Sequence, residues 1–85
     1  MTTFIVPFTF KQRPDEEMLA LIPQEQARIK ELMGQGVVVT LYLSAERSRG
    51  WLVMRGESQS DIQEALETLP LHKFMDLEII PLAGV

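Results

Sequence analysis

The run SQSDIQEALETLPLHKFMDLEII, from Ser58 to Ile80, carries a helix, the turn that stops it and a strand in 23 residues. Ser58 with Asp61 three residues on has the form of a capping box. Ile62, Ala65, Leu66 and Leu69 then recur at i, i+3, i+4 and i+7, the spacing of one helix face. Pro70 ends that helix, Leu71 to Lys73 connect, and Phe74 to Ile80 is expected as the last strand before Pro81. A helix followed at once by a strand sets the pattern for the rest of the chain.

Working back from Ser58, Trp51 to Arg55 reads as a strand closed by Gly56, and Ala45 to Arg49 as a charged hairpin turn ending at Gly50. Val37 to Ser44 is a second strand. Its Val37, Val39, Leu41 and Leu43 form a wholly aliphatic face, against a mixed face of Val38, Thr40, Tyr42 and Ser44. From Asp15 to Gln35 the apolar period lengthens to three and four, through Met18, Leu19, Ile22, Ile29, Leu32 and Met33. That is a helix with Pro14 suited to its first position, Gly34 and Gly36 as its stop, and Pro23 expected to kink or break it near Ile22. Thr3 to Phe10 alternates Phe4, Val6, Phe8 and Phe10 against Thr3, Ile5, Pro7 and Thr9, a first strand in which Pro7 implies a bulge or an unpaired N–H side. Lys11 to Asp15 is a polar connection.

The order is βαββαβ, a single ferredoxin-like α+β domain over residues 1–85, with two helices on one face of a four-stranded antiparallel sheet. The other face is left without cover. It is expected to carry Val38, Thr40 and Tyr42 with Asp76 and Glu78, too apolar for open water and too polar for a dry core. Two such sheets packed face to face would supply the missing burial and enclose a chamber lined by both kinds of group.

Composition narrows the function classes. A chain of 85 residues buries only roughly 60–65% of its surface, so a further source of burial is expected. There is no cysteine and one histidine, which excludes a disulfide framework, a thiolate metal site and a His-rich metal site, and leaves association with a second copy. Twelve acids against eight bases give a net charge of −4, which argues against nucleic acid as a partner. An RNA-recognition module shares this strand order but needs a basic surround, which an acidic chain does not offer. The amino-terminal segment lacks the basic n-region and small-residue cleavage site of a signal peptide. No window approaches a membrane span, so a cytoplasmic protein without membrane contact is expected. Gly-rich phosphate loops and Ser-His-Asp sets are also missing.

Leu69-Pro70-Leu71-His72-Lys73-Phe74-Met75-Asp76-Leu77-Glu78, placed after an amphipathic helix, resembles the carboxy-terminal signature of the muconolactone isomerase family. That signature is a leucine-proline-leucine turn followed by a methionine and an acid opening the last strand. Glu25, Gly36 and Trp51 also fall where that family has similar residues. The resemblance implies a ferredoxin-like protomer paired into a dimeric α+β barrel, often assembled into larger rings. It further implies proton transfer between two carbons of a small anionic lactone, with no metal or organic cofactor. Family members usually continue past the last strand into an extension that crosses to a neighbouring subunit. This sequence stops at Val85, which weakens the expectation of ring assembly and of muconolactone itself as substrate. The related YCII-like family shares the fold and supplies the alternative of a non-catalytic small-molecule-binding or assembly domain.

Proton transfer next to a carbonyl needs a base tuned toward neutrality, which makes Glu25, Asp76, Glu78 and His72 the catalytic candidates. Each has a plainer reading. Glu25 suits the first turn of a helix restarting at Pro23, and Asp76 and Glu78 suit a polar sheet face paired with Arg55. His72, in a turn, suits solvent or a backbone carbonyl. Tyr42 would donate to a developing enolate, Trp51 would form a substrate platform and Arg55 would hold an anion, or the first two simply pack. Arg47 and Arg49 read as solvated turn residues. Expected partners are a second copy of the chain and a small anionic or apolar organic molecule.

Overall fold

The computed structural model describes residues 1–83. Its elements run β1 (Thr2–Phe10), α1 (Glu16–Gly34), β2 (Val38–Leu43), β3 (Arg49–Gly56), α2 (Gln59–Glu67), a 3-10 turn (His72–Phe74), β4 (Met75–Leu77) and β5 (Ile80–Pro81). The expected βαββαβ order is therefore present. All strands pair antiparallel in the order β2-β3-β1-β4, and β5 continues along β1 beside β4. The sheet is open, with both helices on one face.

Local chemistry accounts for the boundaries. α2 begins where the Ser58 hydroxyl accepts from the Asp61 N–H at 3.3 Å, one half of the predicted box. α1 begins two residues later than Pro14 suggested, because Asp15 is the N-cap, its Oδ1 accepting from the Met18 N–H at 2.9 Å. Gly36, at φ +79°, supplies the left-handed residue that turns the chain from α1 into β2.

Two expectations need correction. Pro23 neither ends nor divides α1, which runs unbroken through it for 19 residues. The carbonyl deprived of its donor belongs to Leu19, and Leu19 and Pro23 are both exposed, so the missing bond lies on the side where water can replace it. Val38 does not belong to the open face: it is buried opposite Met54 in the core. A bulge between Val38 and Thr40 inserts Val39 as an unpaired, exposed residue and exchanges the faces of the strand. Beyond the bulge Leu41 faces the core opposite Leu52, while Thr40 and Tyr42 face outward, as the alternation predicted.

Pro7 lies in a central strand, an unusual place for it. Its carbonyl accepts from the Glu78 N–H at 3.1 Å, so its donorless nitrogen is turned toward the same neighbour. β4 and β5 keep one register along β1 and are interrupted at Glu78 and Ile79, opposite Pro7 and Val6. The unpaired N–H side expected at Pro7 is thus real, and it is what splits the last strand.

The core lies between helices and sheet. Phe4, Val6 and Phe8 of β1, Leu52 and Met54 of β3, Leu32 of α1 and Ile62 and Leu66 of α2 are buried together there. Gly50 is built into this layer, since a Cβ at that position would come within 2.6 Å of the Phe8 ring and of the Tyr42 carbonyl.

Candidate functional site

The pairing registers fix the uncovered sheet face as a grid. One end row is Arg49 of β3, Thr9 of β1 and Asp76 of β4. Next come Tyr42, Trp51 and Pro7, with Glu78 bonded to Pro7 at the far side. The third row is Thr40, Val53, Ile5 and Ile80. Arg55 and Thr3 form the last row, extended by Leu82, whose N–H donates to the Thr3 carbonyl at 2.8 Å. The middle is apolar and both ends are charged. Tyr42 on one edge is 59% exposed, and Ile80 and Leu82 are exposed on the opposite edge.

Of the residues singled out from sequence, Asp76, Glu78, Tyr42, Trp51 and Arg55 stand on this face. Arg55 is remote from the two acids: six residues separate it from Arg49 along β3, about 20 Å at strand rise. Arg49 is not a turn residue but the first residue of β3, with its guanidinium 5.3 Å over the Trp51 ring. Two-residue spacing from Trp51 was the available signal, and it was outweighed by the run of turn-like residues before it. A shallow hollow of about 290 Å³ lies between Arg49, Pro7, Thr9, Asp76 and Glu78. Asp76 has Lys11 4.0 Å away. A broader depression along Gln59, Ser60, Gln63 and Glu64 is lined by the polar side of α2 alone and gathers no second element.

Glu25 and His72 belong to the other layer. Glu25 projects from the middle of α1 onto the connection after α2, where its Oε1 accepts from the Leu71 N–H at 3.0 Å. The Pro70 stop leaves that N–H outside any helix, and a carboxylate 46 residues away satisfies it. Burial raises the Glu25 carboxyl above its ordinary value of 4.5, against the opposing pull of the Leu71 N–H and of the neighbouring His72 charge. Among the described residues no fully buried side-chain oxygen lacks a partner, and half-buried Glu25 bonds through Oε1, so Oε2 keeps some contact with solvent. A carboxylate held by one oxygen, partly desolvated, with its second oxygen free and an imidazole nearby, is equipped to take and return a proton. No group of three or more His, Cys, Asp or Glu that could hold a metal occurs among the described residues. No helix there is long and apolar enough to cross a membrane.

Two helices on one side of an open antiparallel sheet, with the other side partly apolar and uncovered among the described residues, define a ferredoxin-like α+β fold. More specifically, the chain belongs to the muconolactone delta-isomerase family, whose model matches residues 2–84. A crystal structure of muconolactone isomerase, at 3.3 Å resolution, superposes with a TM-score of 0.83 at 24% identity, covering 98% of this chain and 90% of that one. No curated protein matches the chain.

Proposed function

We propose that this protein is a cofactor-independent isomerase that moves a proton between two carbons of a small anionic lactone or related carboxylic acid, with Glu25 as the proton carrier. The supporting observation is the Glu25 carboxyl, raised by burial while its Oε2 stays accessible. As carboxylate it removes a proton from a carbon next to the carbonyl, and the C–H electron pair enters an enolate. The proton exchanges with solvent while Glu25 carries it, and a proton is returned at the far carbon of the conjugated system or at the carbon it left, so the double bond shifts with no net redox change. His72, whose charge reaches Glu25, helps keep the carboxylate ionised between turnovers.

The protomer works as a homodimer in this reading. Its support is the apolar middle of the open face, Trp51, Pro7, Val53, Ile5 and Ile80, which a second copy would cover. Tyr42, Trp51, Arg55, Asp76 and Glu78 would then line the space between the sheets, a chamber on the side of the sheet away from Glu25, whose substrate would lie against the helix layer. That same face supports a second reading, a non-catalytic binding or assembly domain of the YCII-like kind, in which the enclosed space only holds a ligand.

Incubation with a panel of lactones in deuterated water, followed by NMR, tests the enzyme reading. Deuterium is expected at the carbon next to the carbonyl, and Glu25→Gln is expected to slow exchange by about 100-fold or more. Absence of exchange across the panel overturns it. A ligand-dependent rise in melting temperature without any product would establish the second reading instead.

A further inference from the structure

We propose that the hollow at the Arg49 end of the open sheet face is a binding site for a small zwitterionic amino acid with an apolar side chain, separate from Glu25. Charge bookkeeping across the first two grid rows leads there. Asp76 has Lys11 within 4.0 Å, but Arg49 and Glu78 have no oppositely charged partner within that distance among the described residues. They are not paired with each other either. Arg49 is on β3 and Glu78 beyond β1 on the following row, so two inter-strand spacings, about 10 Å, lie between their backbones.

The Arg49 guanidinium is also oriented in advance. Stacking over Trp51 at 5.3 Å restrains a side chain that would otherwise sample many rotamers, and leaves its N–H fork free for a carboxylate. A carboxylate on Arg49 and an ammonium on Glu78 would complete both charges with one molecule. The floor between them is Pro7 and Thr9, and the register puts Trp51 and then Tyr42 in the row of Pro7 on the same face, apolar surface within reach of the ligand's side chain. The volume of about 290 Å³ suits a molecule of amino-acid size. A simple anion would leave Glu78 unmatched, and a simple amine would leave Arg49 so.

Titration calorimetry on the full-length protein tests this with three probes: L-leucine, 4-methylpentanoate, which lacks the ammonium, and L-leucinamide, which lacks the carboxylate. L-leucine is expected to bind saturably. Removal of either charge, or Arg49→Gln or Glu78→Gln, is expected to weaken it at least about tenfold, the scale of one charge-assisted hydrogen bond. Arg49→Lys is expected to recover only part of the affinity, because it restores the charge without the planar fork. Glu25→Gln is expected to bind L-leucine unchanged, so loss of the isomerase reading would leave this one standing. No saturable binding of L-leucine, equal binding of 4-methylpentanoate, or indifference to Arg49→Gln each overturns the proposal.

Discussion

The two faces of the sheet use the same strands for opposite purposes. On the helix side, Phe4, Val6, Phe8, Leu52 and Met54 are all buried, and the layer is closed by Leu32, Ile62 and Leu66. On the other side, Ile5, Trp51 and Val53 alternate with them along the same backbone, but they are only half-buried, with no helix of the described residues laid over them. One face holds the chain folded. The other is stable only as far as a wet, half-apolar surface can be, and so it is where association and ligand binding are to be sought. The contrast also separates the polar groups: Glu25 answers to the packing of the helix layer, whereas Arg49, Asp76 and Glu78 stand on the open side.

If that division is right, substitutions on the two faces must differ in what they damage. Leu66→Ala, at a fully buried site, is expected to cost about 3–5 kcal/mol in urea unfolding, near the upper end for such truncations. Val53→Glu on the open face is expected to leave the unfolding of the protomer within about 1 kcal/mol while weakening self-association by about 100-fold in sedimentation experiments. Unfolding as severe as that of Leu66→Ala would erase the distinction between the faces. Gly50→Ala sits at the boundary, since its Cβ would meet both the core ring of Phe8 and the backbone of β2. A loss of about 1–3 kcal/mol is expected from overpacking.

Much of this was readable from residue spacing, and the failures are informative. Strict alternation in β1 and i, i+3, i+4 spacing in α2 located their buried faces because nothing interrupts either period. β2 defeated the same rule. Its four aliphatic residues allow two alternations, and the choice is made by the bulge at Val39, which no residue type there announces. Pro23 misled in the other direction, because its cost depends on whether the orphaned carbonyl faces water, a property of how α1 sits on the sheet. For the candidate site, period two placed Asp76 and Glu78 together in advance. The pairing of Glu25 with Leu71 across 46 residues and the stacking of Arg49 on Trp51 arise from tertiary packing, and local sequence carries no mark of either.

The finest test of the two-face picture is the smallest in size. Glu25 is an acid whose folded carboxyl lies above its ordinary value because burial disfavours the charge. Folding therefore favours its protonated form. The stabilising contribution of that form is fully present below the unfolded value near 4.5, and it is lost as pH rises through the higher folded value. Glu25→Gln removes the titration yet keeps an amide oxygen able to accept from the Leu71 N–H. Relative to the parent chain, the variant is expected to gain stability as pH is raised from 4 to 7, with the two curves drawing together at the acid end. Melting or urea curves over that range read the difference directly. A variant that instead falls further behind as pH rises would mean that the ionised carboxylate is favoured by the fold. The Leu71 N–H and His72 would then outweigh burial, and Glu25 would be a structural anchor of the turn with no elevated proton affinity to use in catalysis.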